Sequence, residues 1–194
     1  MNGDRGADDS DDRSTVPLSG TTLIVGPSGV GKTRRTARAL EAWLDTRGPA
    51  GVVVLEFGPS IVRDGDIVGG RIDRFVDVPE DVWHGVLEAH APRLQGSDEA
   101  EVRALARRNA ERARGILDSI PPDPTAVFVN DATIPFQHES GEPDVLVRYC
   151  DRADCAVVNA YEGDGFGTDG AVSRRERAVL KRLRTWADRV LRLE

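Results

Sequence analysis

Eight consecutive residues concentrate the chemistry of this chain: Gly26, Pro27, Ser28, Gly29, Val30, Gly31, Lys32 and Thr33. They satisfy the pattern G-x-x-x-x-G-K-[ST], in which glycines let the backbone curl until successive N–H groups point at phosphate oxygens. A helix opening near Lys32 would aim its positive end at the same anion. Lys32, expected to stand exposed in the loop, would reach the β and γ phosphates of a nucleoside triphosphate, and Thr33 would hold Mg²⁺. Chance produces the pattern in roughly two chains per thousand of such composition. One of only two lysines in the chain, Lys32 and Lys181, occupies the required position.

Phosphate chemistry also needs a carboxylate at the same sheet edge, and two candidates follow apolar runs. Thr125-Ala126-Val127-Phe128-Val129-Asn130-Asp131 reads as a buried strand closed by polar residues. Such a strand places its last carboxylate where it can hold the magnesium water shell. Where this pattern reads apolar-Asp-Glu, Asn130 takes the Asp position and Asp131 the Glu position, and an asparagine coordinates but cannot act as a base. Asp131 is therefore a candidate catalytic and metal-holding residue beside Lys32 and Thr33. Glu56, closing the run Gly51-Val52-Val53-Val54-Leu55-Glu56-Phe57, is its rival as base.

Other residues that could do chemistry carry two readings each. On a charged helix over residues 99–117, Arg103, Arg107, Arg108, Arg112 and Arg114 form either a solvated face laced by i,i+4 pairs or the source of one arginine for a triphosphate. His84 and His90 lack the i,i+4 spacing of metal-binding histidines and read as surface or core residues. Cys150 and Cys155 have no further Cys or His to complete a metal quartet and read as reduced core residues. Residues 58–70 and 161–170, both Gly-rich, leave the carboxyl ends of strands and are candidate substrate or switch loops, the first also readable as a small hairpin.

The elements that must position these groups follow from periodicity. After the glycine loop, Ala37, Leu40 and Leu44, with Trp43, give a helix ending near Gly48-Pro49. Residues 51–57 form an unbroken apolar run suited to a strand covered on both faces. Residues 74–78 suggest a short strand, and Trp83, Val86, Leu87 and His90 the stripe of a helix begun near Pro79-Glu80-Asp81. Helix 99–117 stops at Pro121-Pro122-Asp123-Pro124, a short helix covers residues 144–153, and residues 155–160 give another strand. Ser173-Arg174-Arg175-Glu176 has the signature of a capping box, followed by the buried stripe Val179, Leu183, Trp186, Ala187 and Val190. Residues 190–193 read as an edge strand.

At 194 residues the chain has room for one domain, taken as residues 18–194, behind an acidic tail at residues 1–17 that holds almost nothing apolar. No apolar run approaches the roughly 20 residues of a membrane helix, and no secretory signal opens the chain. A cytoplasmic protein without membrane association is expected. The net charge of −7 argues against a broad nucleic-acid surface.

The glycine loop is a Walker A motif, and the order of elements resembles the P-loop NTPase superfamily across residues 20–194. The resemblance implies a three-layer α/β sandwich with a mostly parallel sheet, binding Mg²⁺ and ATP through residues 26–33. Within that superfamily, the early strand at residues 52–57 and Ala187-Asp188-Arg189-Val190 near the end are similar to the ATP:corrinoid adenosyltransferases of the RecA-like branch. The extra Gly and Lys of that family's loop are not reproduced by Pro27-Ser28. No guanine-reading N-K-x-D occurs, since Asn130-Asp131-Ala132 and Asn159-Ala160-Tyr161 lack its lysine, which favours ATP over GTP. Three functions are compatible: an ATPase acting on a protein partner, a small-molecule transferase (kinase or corrinoid adenosyltransferase), or a nucleotide-binding module without turnover. The second substrate, the partner and the oligomeric state are not indicated by the sequence.

Overall fold

A computed structural model of the chain describes residues 15–63, 66–68, 70–165, 167 and 169–194. The expected tail lies outside the described residues as far as residue 14. Val16, which composition assigned to it, is buried against Ile24 and Trp43 in one core cluster.

The chain runs through β1 (Gly20–Gly26), α1 (Lys32–Arg47), β2 (Val52–Glu56), a hairpin of β3 (Ile61–Arg63) and β4 (Asp66–Val68), β5 (Trp83–Val86), α2 (Pro92–Gln95), α3 (Glu99–Ser119), β6 (Ala126–Asn130), α4 (Pro143–Cys150), β7 (Cys155–Tyr161), α5 (Ala171–Trp186) and β8 (Arg189–Arg192). Two 3-10 turns, Ile72–Arg74 and Ile134–Phe136, follow β4 and β6. Six strands form one sheet in the order β5-β2-β6-β7-β1-β8, and every neighbouring pair is parallel.

Unbroken apolar strands suit this sheet because both of its faces are covered. Ile24, Val54 and Phe128 turn to one face and pack with Ala37, Leu40 and Trp43 of α1. Their chain neighbours Val25, Leu55 and Val129 turn to the other, against Leu146 of α4, Val179 and Leu183 of α5 and Ala113 of α3. The molecule is a three-layer α/β sandwich. Among the described residues no helix is long and apolar enough to cross a membrane.

Local chemistry sets the helix ends. α1 stops at Gly48, whose N–H bonds Leu44 O from a φ of 76°. α3 starts at Asp98, whose carboxylate accepts Glu101 N at 2.8 Å while Glu101 reaches back to Ser97 N at 2.9 Å.

Three expectations are corrected. Residues 79–90 do not form a helix: Trp83–Val86 is strand β5, paired with β2 from Val53↔Trp83 to Glu56↔Val86. The apolar residues fit a period of two as well, with Trp83, Gly85 and Leu87 on one face. A Cβ at Gly85 would lie 2.6 Å from the Trp83 ring, so glycine makes room for the indole. Residues 74–78 contain no strand; Arg74 closes the 3-10 turn Ile72–Arg74, whose first N–H groups, Ile72 N and Asp73 N, are held by Glu56. Ser173 is not a cap, since α5 begins after Gly170 and buries both Ser173 and Glu176. The hairpin reading of residues 58–70, the edge strand at the end of the chain and the buried free thiols Cys150 and Cys155 all hold.

Candidate functional site

The loop between β1 and α1 is built as its glycines require. Gly29 and Gly31 have φ of 80° and 94°, and a Cβ on either would meet nothing within 4 Å, so conformation rather than space demands glycine there. α1 carries no side-chain N-cap and no acidic residue in its first turn. Its opening N–H groups therefore suit an anion. Lys32 is not exposed: it keeps 7% of its surface because Nζ folds back to donate to Pro27 O at 2.5 Å, 6.0 Å from the Tyr161 ring centre. Burial lowers its pKa, against an opposing pull from Asp131.

Behind the loop, two buried asparagines tie three elements together. Asn130, last in β6, accepts from Thr33 Oγ1 at 3.0 Å and donates to Gly70 O at 2.7 Å. Asn159 of β7 donates to Asn130 Oδ1 at 3.0 Å and Thr36 Oγ1 at 2.9 Å, and its own Oδ1 accepts Asp131 N at 2.9 Å. The Thr36 hydroxyl donates to Lys32 O at 3.1 Å. The position of Thr33 is thus fixed from the sheet edge, as metal or phosphate binding requires.

Asp131 takes a left-handed backbone, φ 53°, which short polar side chains tolerate. Gly58 makes room for it, since a Cβ there would fall 2.6 Å from Asp131 Oδ2. Burial pushes the Asp131 carboxyl up to about 6; the Lys32 ammonium opposes this and the charges of Glu176 and Glu56 add to it. A carboxylate tuned in this way suits proton transfer near neutral pH.

Of the residues singled out by sequence, Ser28, Gly29, Val30, Gly31, Lys32, Thr33 and Asp131 meet around one cavity of about 750 Å³. Gly26 and Pro27 line a neighbouring cavity of about 650 Å³, and Arg93, Tyr161 and Glu176 line both. Glu56 lines neither. It is fully buried, and its Oε1 accepts Ile72 N at 2.5 Å and Asp73 N at 3.4 Å with His84 Nε2 at 3.9 Å, a placement that fixes the 3-10 turn.

The wall between the cavities was not read from sequence. Glu176, only 4% exposed, accepts from Thr133 Oγ1 at 2.9 Å and Gln137 Nε2 at 2.8 Å, and its other oxygen pairs with Arg93 Nη1 at 2.5 Å. Arg93 also lies 5.7 Å from the Tyr161 ring centre, whose ring neighbours Lys32 as well. One signal was present: Thr133 and Gln137 directly follow the strand that ends at Asn130, at the ligand edge of the sheet. The arginines of α3 take the solvated role instead. Arg107 pairs with Glu111 at i,i+4, Arg103 with Glu139, and Arg112 and Arg114 bond the carbonyls of Glu88 and Ser140.

Among the described residues no group of three or more His, Cys, Asp or Glu could hold a metal ion. Mg²⁺ does not need such a cage, because it takes one or two protein oxygens and completes its shell with water and substrate phosphates. Thr33, with Asn130 behind it, and Asp131 fit that requirement in type and number. A comparison with models of protein families and with curated proteins finds no match to this chain.

Proposed function

We propose that this chain is a P-loop protein that binds Mg·ATP through Gly26 to Thr33 and turns the nucleotide over, by hydrolysis or on a second substrate. One observation carries the reading: the Thr33–Asn130 bond joins the glycine loop to the strand that presents Asp131, so phosphate cradle, lysine and carboxylate face one cavity. Lys32 and the first N–H groups of α1 supply charge to the β and γ phosphates. Mg²⁺ held by Thr33 and Asp131 would offset phosphate charge as the terminal bond breaks. Asp131, ionised above its pKa of about 6, orients the attacking water or hydroxyl and accepts its proton. The cavity beside Gly26 and Pro27, lined also by residues 162–164 and 192–194, has the size expected for a nucleoside. The missing lysine in both asparagine-containing segments favours adenine over guanine.

A second reading, an ATP-dependent small-molecule transferase such as a kinase or a corrinoid adenosyltransferase, is favoured by the space that the 750 Å³ cavity leaves beyond the loop. Separate measurement of phosphate, ADP and tripolyphosphate from Mg·ATP distinguishes the outcomes. Phosphate and ADP support hydrolysis, and ADP formed only with an added acceptor supports a kinase. Tripolyphosphate supports adenosyl transfer, and binding with no product leaves a nucleotide-holding module.

A further inference from the structure

Among the described residues three large apolar side chains are exposed, Phe75 (43%), Leu94 (44%) and Val190 (40%). Scattered exposed apolar residues are ordinary, but Phe75 and Leu94 come from separate segments and line the same 750 Å³ cavity. Phe75 stands at the Thr33 end of it. A Cβ built on Gly70 would touch the Phe75 ring at 3.3 Å and Thr33 Cβ at 3.6 Å, so the ring and Thr33 flank one point. The Arg34 guanidinium lies 5.6 Å from the centre of that ring, and Arg74 adds a second cation to the lining. These positive charges gather on a protein whose net charge is −7.

A triphosphate on the glycine loop would use Lys32 and the start of α1, which leaves Phe75, Leu94 and Arg34 of the lining for another occupant. We propose that this part of the cavity binds a second small molecule beside the terminal phosphate: an organic anion with a flat apolar body. Its body lies against Phe75 and Leu94, and its negative group meets Arg34. The site rests on the P-loop reading only for the identity of its neighbour.

The test uses the full chain and 8-anilinonaphthalene-1-sulfonate, a fluorescent probe with an apolar bicycle, a sulfonate and one N–H. The expected result is saturable binding to a single site that persists when Mg²⁺ and a non-hydrolysable ATP analogue are also bound. Phe75→Ser/Leu94→Ser should weaken the probe by about tenfold or more and Arg34→Gln by several-fold, while analogue binding to the double variant stays within about twofold of wild type. Both apolar residues are exposed, so the double variant should keep its circular dichroism and thermal midpoint. The uncharged counterpart N-phenyl-1-naphthylamine should bind about tenfold more weakly than the sulfonate. Competitive displacement of the probe by the analogue would overturn the proposal, because the space would then belong to the nucleotide. Equal probe binding by the double variant, or equal binding of charged and uncharged probes, would also overturn it. So would a wild-type dimer that the double variant converts to monomer, since a second copy would then cover the rim. Probe binding with the expected variant pattern but no analogue binding would sustain the anion site and overturn the P-loop reading instead.

Discussion

If Thr33 and Asp131 both hold Mg²⁺ and Asp131 alone takes the proton, as proposed, their variants should fail in different ways. Thr33→Ala removes the hydroxyl that joins the loop to Asn130. Nucleotide affinity should fall several-fold with Mg²⁺ present and change little in EDTA, as read by calorimetric titration. Asp131→Asn keeps size and tolerance of the left-handed backbone but loses the base, so turnover should drop about 10²-fold or more while affinity changes little. The pH profile carries a further mark. With the Asp131 pKa at about 6 in the free protein, wild-type kcat/KM should rise as pH rises through 6, and Asp131→Asn should lack that limb. Stability moves in the opposite sense. The folded value lies above the ordinary 3.8, so the folded state holds this proton more tightly and loses stability as pH rises from about 4 to about 6. Asp131→Asn should then raise stability by about 1–2 kcal/mol at pH 8 and by much less at pH 4, in urea melts at the two values.

The rival carboxylate belongs to the element scale, because Glu56 joins β2 to the 3-10 turn that follows the hairpin. Its Oε1 is spent on Ile72 N and Asp73 N, so Glu56→Gln should lower stability, by about 1–3 kcal/mol, and leave turnover per folded molecule near wild type. An inactive, folded Glu56→Gln beside an active Asp131→Asn would transfer the base to Glu56. Asn159 joins β7 to both β6 and α1, and Asn159→Ala would strand Asp131 N and remove a donor from Thr36 Oγ1 and Asn130 Oδ1. A loss of about 2–3 kcal/mol in urea unfolding is expected. These ties were invisible in the sequence, where Asn159 stood only as a failed guanine-reading motif. Strands and long helices were legible because their apolar runs are long or strongly periodic. Residues 79–90 were not, because Trp83 and Leu87 are compatible with helical spacing as well as with alternation, and the open edge of β2 decides between them. Glu176 was misread for a related reason: Ser-x-x-Glu signals a cap only when serine precedes the helix, and here Ser173 lies inside α5.

Across the whole molecule, the segment between β5 and α3 is fastened to α5 by the pair Arg93–Glu176, which also forms the wall between the two cavities. Arg93→Met would leave a buried carboxylate with only the Thr133 and Gln137 donors, and should lower stability by about 3–5 kcal/mol. Arg93→Met/Glu176→Gln should recover most of that loss in the same urea melts, since no unpaired charge then remains buried. A network closed from both ends in this way keeps the cavity shaped around Lys32 and Asp131 before any ligand arrives. Whether the cavity receives Mg·ATP through its lysine is decided by calorimetric titration of wild type and Lys32→Ala with a non-hydrolysable ATP analogue and Mg²⁺. Wild type should bind one equivalent, whereas Lys32→Ala, with unchanged circular dichroism, should bind at least about 10²-fold more weakly, because a partly buried countercharge to phosphate is lost. Equal affinity of the two folded proteins, or no binding by wild type, would contradict the proposal.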